Sequence, residues 1–150
     1  MADYESLQKL SEAVVNDLTE AGKAVSTAES CTGGWVAKSI TDIPGSSAVF
    51  QYGIVSYSNG AKESILGVKN ETLEKHGAVS KPVVEEMAKG VLRLRGADKA
   101  VAVSGVAGPD GGTDEKTVGT VWFAWAMRDG AKARVDTHCA SFKGYRDLVR

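Results

Sequence analysis

The stretch Thr27-Ala28-Glu29-Ser30-Cys31-Thr32-Gly33-Gly34-Trp35 decides how the chain is read. The run from Ala24 to Ala28 just before and into it has the length of a buried strand. It ends in a cluster of hydroxyls, a thiol and a carboxylate, and two glycines then open a helix from Trp35 to Thr41. In open α/β sheets ligands sit at the carboxyl ends of strands, which is where Ser30 falls. The first N–H groups of a helix lack partners and its dipole adds roughly half a positive charge there, so Thr32-Gly33-Gly34 is placed to face negative charge. A plainer account has the two glycines only letting the helix pack close to the sheet. On this stretch alone both accounts stand.

Around it, the spacing of Leu7, Leu10, Val14, Leu18 and Ala21 predicts an amphipathic helix closed by Gly22. Ile43-Pro44-Gly45-Ser46-Ser47 reads as a turn, and Ala48 to Ser58 as a strand with a bulge near Gly53. Asn59 is the expected cap of a short helix holding Lys62 and ended by Gly67, and Asn70 the cap of another ending at His76-Gly77. Ser80 and Pro82 open a longer helix whose buried side is Val84, Met87, Ala88 and Val91. Lys99 to Ser104 is a strand, followed by the glycine loop Gly105 to Gly112. Val118 to Met127 and Lys132 to Ala140 form a hairpin about an Asp129-Gly130 turn. The second of these strands alternates Lys132, Arg134, Asp136 and His138 with smaller residues, a pattern that suits an outer strand guarded by charge. A polar helix starts after Gly144. Early helix–strand alternation with a late hairpin predicts an α/β fold: a mixed, mostly parallel sheet with helices on both faces and an antiparallel hairpin at the C-terminal end, in one domain over residues 1–150.

Composition narrows the function. Eighteen basic residues against nineteen acidic ones leave a net charge of −1, with no basic stripe for nucleic acid or an anionic membrane. There is no apolar run long enough for a bilayer, and the acidic N-terminus lacks the plan of a signal peptide. Cys31 and Cys139 are isolated and no His stands in ligand spacing, so neither a disulfide framework nor a metal site is expected. A cytoplasmic protein with reduced thiols follows.

Three polar clusters fall at strand ends: Ser30-Cys31-Thr32, Ser46-Ser47 with Tyr57 to Lys62, and Ser104 with the glycine loop through Lys116. The loop Gly105-Val106-Ala107-Gly108 is neither a Walker loop nor a dinucleotide fingerprint, though its successive N–H groups suit an anion. Lys62 is the odd residue. It stands in the first turn of its helix, where the dipole disfavours an ammonium. Lowering a lysine from about 10.4 to about 7.4 takes roughly 4 kcal/mol, far more than the ~0.3–1 kcal/mol of a helix end, so burial or a second cation must supply the rest. An exposed lysine at a loosely defined helix end is the plainer alternative. His76 and His138 have surface contexts, so a serine nucleophile here needs Lys or Tyr as its base.

Several of these segments together resemble the CinA carboxy-terminal domain family. They are Ser26 to Gly34, Pro44 to Ser47, Tyr57-Ser58-Asn59-Gly60-Ala61-Lys62, Gly77 to Ser80, Ser104 to Gly112, Val118 to Val121 and Phe142 to Arg146. They span nearly the whole chain in the family's order. The resemblance implies a three-layer α/β/α sandwich, generally dimeric, and a stand-alone nicotinamide-nucleotide amidase. Such an enzyme converts nicotinamide mononucleotide to nicotinate mononucleotide and ammonia, with no metal or redox cofactor. Carried over by position, Ser30 matches the nucleophile and Tyr57 and Lys62 its activating partners, while Ser47, Ser104 and Arg146 match polar positions around the substrate. The family's final helix runs past Arg150, which implies a terminal helix left unfinished here.

On that basis Ser30 is expected to attack the carboxamide, with Lys62 as base directly or through Tyr57. The N–H groups of Thr32, Gly33 and Gly34 are expected at the oxyanion, with Gly105, Ala107, Gly108, Lys116 and Arg146 at the phosphate. A competing assignment gives the oxyanion to Ser47 and the phosphate to the Gly33-Gly34 helix start. Two other functions stand beside it: a non-catalytic nucleotide-binding module, as a sensor or competence accessory, and a serine amidase for another small amide.

Overall fold

A computed structural model describes residues 3–150. Helix α1 (Tyr4–Ala21) leads into β1 (Val25–Glu29), α2 (Trp35–Thr41), a 3-10 turn (Ser46–Ala48) and β2 (Phe50–Val55). Then come α3 (Asn59–Leu66), α4 (Asn70–His76), α5 (Lys81–Leu92), β3 (Lys99–Gly105), β4 (Thr120–Asp129), β5 (Lys132–Ser141) and α6 (Arg146–Val149). The five strands form one sheet in the order β2-β1-β3-β4-β5. β1 is parallel to both neighbours, and β4 runs antiparallel to β3 and β5, so β4 alone runs against the rest. The expected mixed sheet, bulge and hairpin are all present. The bulge falls between the β1–β2 pairs Val25–Phe50 and Thr27–Gly53.

Helices cover both faces. On one, Val83, Val84, Met87, Ala88 and Val91 of α5 are fully buried against Ala28, Ala100, Ala102, Ala124 and Ala126. A row of alanines makes the sheet surface flat and lets α5 sit close, and each buried Val or Met contributes about 1.5–3 kcal/mol of transfer free energy. On the other face, Val15 and Leu18 of α1 and Ile40 of α2 pack with Val25, Ile43 and Val49. A third cluster lies at the carboxyl end of β1 and β3, where Cys31, Val103, Ala107, Val121 and Val149 are buried together.

Four local expectations are corrected. The inward stripe of α1 is Ser11, Val15 and Leu18, whereas Leu10 and Val14 are 61% and 42% exposed. Ser11 joins the stripe because its hydroxyl returns a hydrogen bond to Leu7 O, 2.9 Å. Ser58, not Asn59, caps α3, its Oγ accepting from Ala61 N–H at 3.1 Å. Asn70 is the first helical residue of α4, with Lys69 at the cap position. The β4–β5 loop is Gly130-Ala131, since Asp129 already pairs with Lys132.

The packing of α3 on α5 fixes where Lys62 stands. A Cβ on Gly90 would lie 2.1 Å from the carbonyl oxygen of Leu66, the last residue of α3. Arg93 ties the same carbonyl, its Nη2 donating at 2.9 Å. Gly90→Ala is therefore expected to push α3 outward and cost about 1–3 kcal/mol. Urea denaturation measures it; a variant as stable as the parent would show that α3 is not held by this contact.

Candidate active site

The site grows from the end of β1. All five of its residues are buried, including the Glu29 carboxylate, which is 1% exposed. Glu29 survives there because it is the cap of α2: its oxygens accept from Val36 N–H (2.9 Å), Ala37 N–H (3.0 Å) and Thr32 Oγ1 (2.6 Å). Buried charge is tolerated when hydrogen-bonded this way, and an anion is favoured at a helix start. The chain between Glu29 and α2 has no room to be extended. Gly33 and Gly34 take φ values of +61° and +96°, and Gly33 N–H closes back on Ser30 O at 3.0 Å. Ser30 is thus carried on a tight, capped turn.

Lys62 reaches that turn from the other side. Its side chain is 1% exposed, and its Nζ is 3.0 Å from Ser30 Oγ, 2.8 Å from Ser56 O and 3.3 Å from Tyr57 O. None of these partners carries a charge, and among the described residues no carboxylate is within ion-pair distance of it. Burial therefore pulls its pKa below the usual lysine range. A neutral amine has two N–H donors and one lone pair. In the neutral form the two carbonyls take those donors and the lone pair is left for the Ser30 hydroxyl; in the charged form Nζ donates to Ser30 Oγ. Cys31, next to the serine, is buried, and burial pushes its thiol up, so it stays protonated.

Ser30 and Lys62 form one wall of an open cleft of about 300 Å³, whose lining also includes Cys31, Tyr57, Ser104 and Arg146. Ala78 and the glycine loop from Gly105 to Gly108, with Asp110 and Gly111, form the opposite rim. Ser104 is 1% exposed and its Oγ donates to Ala78 O at 2.9 Å, which braces that rim. Arg146 bridges the mouth, donating to Gly108 O at 2.6 Å and to the Tyr57 hydroxyl at 2.7 Å. A buried serine on a glycine turn, in contact with a buried lysine whose pKa is lowered and open to a cleft, has the arrangement that a nucleophile and its base require.

The family model for the CinA C-terminal domain matches residues 7–150. The chain belongs to the CinA C-terminal domain family. It is 58% identical to the nicotinamide-nucleotide amidohydrolase PncC of Escherichia coli strain K12 over 150 residues, all of this chain and 88% of that protein. It is 62% identical over 121 residues to a putative competence-damage inducible protein of Symbiobacterium thermophilum, covering 81% of this chain and 28% of that one. Among solved structures, the competence/damage inducible protein CihA from Agrobacterium tumefaciens superposes with a TM-score of 0.90 at 46% identity, over 95% of this chain and 86% of that one. A CinA superfamily protein from Escherichia coli superposes with a TM-score of 0.91 at 34% identity, over 99% and 84%.

Within this CinA domain the structure gathers Ser30, Tyr57, Lys62, Ser104, Gly105, Ala107, Gly108 and Arg146 at one cleft. It does not gather the others. Ser46 and Ser47 sit in the 3-10 turn before β2, at the opposite end of the sheet from Ser30, because β1 and β2 are parallel. Lys116 is drawn to the end of α4, where its Nζ donates to His76 O. Thr32 turns its hydroxyl to Glu29, and the Gly33-Gly34 helix start is already capped by that carboxylate, so it cannot cradle a phosphate. Gly33 N–H is spent on Ser30 O. Cys31 N–H has no acceptor among the described residues, and Cys31 lines the cleft. Tyr57 points its phenol at Arg146 and gives Lys62 only its carbonyl, so the contact between base and serine is direct.

Three contributors are missing from the sequence reading. Glu29 was visible as the one acid in a buried strand followed by a helix. Ser56 acts through its carbonyl, which no residue pattern announces. Arg150 donates from Nε to Cys31 O at 3.0 Å, and a Cβ on Gly33 would meet its Nη2 at 2.8 Å.

Two outcomes check this geometry. Glu29→Gln keeps the shape but removes the charge at the α2 start, and is expected to cost about 1–2 kcal/mol and to lower turnover by loosening the Ser30 turn. An unchanged urea midpoint would contradict the capping role. Lys62 has a folded pKa below its unfolded value of about 10.4, so wild-type stability falls as pH drops from about 10.4 toward the folded value. Lys62→Met has no such term. Whatever offset the two unpaired carbonyls introduce, the stability difference should move in favour of wild type as pH rises through that window, and a pH-independent difference would show that Lys62 is not desolvated.

Proposed function

We propose that this chain hydrolyses the carboxamide of nicotinamide mononucleotide to nicotinate mononucleotide and ammonia. The observation that carries the chemistry is the 3.0 Å contact between Ser30 Oγ and the buried Nζ of Lys62. The substrate rests on the 58% identity to a protein named nicotinamide-nucleotide amidohydrolase. Ser30 Oγ attacks the carboxamide carbon as its proton passes to Lys62 Nζ. The resulting oxyanion takes the Cys31 N–H; losing one such donor typically adds about 3–4 kcal/mol to the barrier. Collapse expels ammonia, which takes the proton from Lys62, and leaves an ester on Ser30. Water then gives a proton to Lys62 and attacks the ester, and collapse releases the acid, which ionises to the carboxylate, as Lys62 returns its proton to Ser30 Oγ. Arg146 and the rim from Ala107 to Gly111 hold the phosphate, with no cofactor in any step. On this reading the enzyme works in the cytoplasm, and the family resemblance implies a homodimer; Cys31 and Cys139 are unpaired, and among the described residues no helix is long and apolar enough to cross a membrane.

Ammonia release from nicotinamide mononucleotide, with free nicotinamide as the comparison, is the direct test. Release from the nucleotide and not from the free base is expected. Ser30→Ala should lower kcat by ~10⁴-fold or more while far-UV circular dichroism stays unchanged. Lys62→Ala should depress kcat much more than it raises KM. Normal turnover by the Ser30 variant would remove the nucleophile assignment, and binding without turnover by the parent would make the domain a sensor.

A further inference from the structure

The fold gathers positive charge at the end of the sheet away from the hydrolytic cleft. There the end of α5 meets the β4–β5 turn around a concavity of about 420 Å³, larger than the cleft at about 300 Å³. Lys89, Arg93, Arg128 and Lys132 line it, together with the Gly130-Ala131 turn and no acid. The four cations are far apart in sequence, so no basic run announces them. Among the described residues none of the four stands within ion-pair distance of a carboxylate. Asp98 and Asp129 line a neighbouring hollow that shares Arg128 and holds Lys23, Lys99 and Arg134 as well.

Part of this charge has a structural task. Arg128 donates from Nε to Ala97 O (2.9 Å) and from Nη2 to Leu92 O (2.5 Å), and Arg93 donates from Nη2 to Leu66 O (2.9 Å). These acceptors are neutral, so both guanidiniums keep their charge, and the bonds hold them still with most of their N–H groups unused. The dipole of α5 brings roughly half a negative charge to this end, which offsets only a fraction of four positive ones. Lys89 and Lys132, both exposed, add charge that capping does not require. The turn adds donors. Gly130 N–H and Ala131 N–H have no protein acceptor among the described residues, and both residues line the concavity. Successive backbone N–H groups in a turn make a hollow suited to an anion.

We propose that this concavity binds a small anion carrying two linked phosphate groups, a pyrophosphate unit that is free or terminates a nucleotide. One phosphate brings about −1.5 to −2 and would leave close to half of the charge unbalanced; a second offsets most of the remainder. The two fixed guanidiniums match phosphate edges with paired N–H groups, and the lysines act as mobile point charges beside them. No hydroxyl, thiol, imidazole or carboxylate lines the concavity, so the site binds its anion without reacting with it. It is separate from the cleft, where Arg146 is the cation in the lining that faces substrate.

The inference does not depend on what the cleft hydrolyses, and its test uses no substrate. The intact chain is titrated with inorganic pyrophosphate, followed by calorimetry and by amide NMR. One pyrophosphate per chain is expected, with the Gly130, Ala131 and Lys132 amides shifting as it binds. Orthophosphate, which makes fewer charged hydrogen bonds, should bind about tenfold more weakly or worse. Lys89→Gln combined with Lys132→Gln should weaken pyrophosphate binding by about tenfold or more, with an unchanged circular dichroism spectrum. Arg146→Ala should leave it unaltered. A nucleoside diphosphate that binds more tightly than pyrophosphate assigns a nucleotide as the ligand, and equal or weaker binding assigns the free anion. No saturable binding of pyrophosphate, equal affinity for orthophosphate, amide shifts confined to Gly105–Gly108 at the cleft, or full affinity in the double lysine variant would overturn the proposal.

Discussion

An amine without a counter-ion organises this molecule. Lys62 is buried with two backbone carbonyls and one serine hydroxyl around its nitrogen and no charge to offset its own. As an ammonium it donates to Ser30; as a neutral amine it accepts from Ser30. One 3.0 Å contact therefore suits both ends of the proposed proton transfer, and burial lowers the cost of the neutral form. A paired lysine could not do this, because a carboxylate partner would hold the proton on the nitrogen.

The rest of the fold keeps that nitrogen dry and its partners fixed. Gly90 and Arg93 of the α5 region clamp the end of α3. On the other side, Glu29 ties β1 to α2, so that the turn bearing Ser30 is braced at both ends. The carboxylate neighbouring Ser30 in sequence is thus spent on a helix start and kept away from the lysine. Arg146 and Arg150, from the last short helix and its end, close over the loops after β1 and β3 through carbonyl oxygens of Gly108 and Cys31. Of these two cations Arg146 lines the cleft, on the same rim as Asp110.

Much of this was legible in the sequence. The glycine-marked turn after a buried strand, the pairing of the two C-terminal strands and the α5 stripe of Val84, Met87, Ala88 and Val91 follow from short-range rules, and the structure keeps them. Lys62 stood out because a cation in a first helical turn contradicts the dipole, and in the fold its burial lowers its pKa. What failed was anything that depends on strand direction or on backbone atoms. Ser46 and Ser47 precede a strand whose other end reaches the site, so nearness in sequence to Tyr57 misplaces them by the length of that strand. Gly33 and Gly34 look like a phosphate cradle until the carboxylate of Glu29 is seen to fill it. The α1 stripe slid by one residue because Ser11 satisfies its hydroxyl within the helix, which lets a polar residue take a core position.

The central claim is that Lys62 titrates below an ordinary lysine while in contact with Ser30. Direct titration of its side chain by heteronuclear NMR, with the resonance assigned through Lys62→Met, measures this most directly. The ammonium-to-amine transition should occur below the usual lysine value of about 10.4. A transition at that value or above would mean that the nitrogen stays protonated beside Ser30, and a lysine base would have to be abandoned.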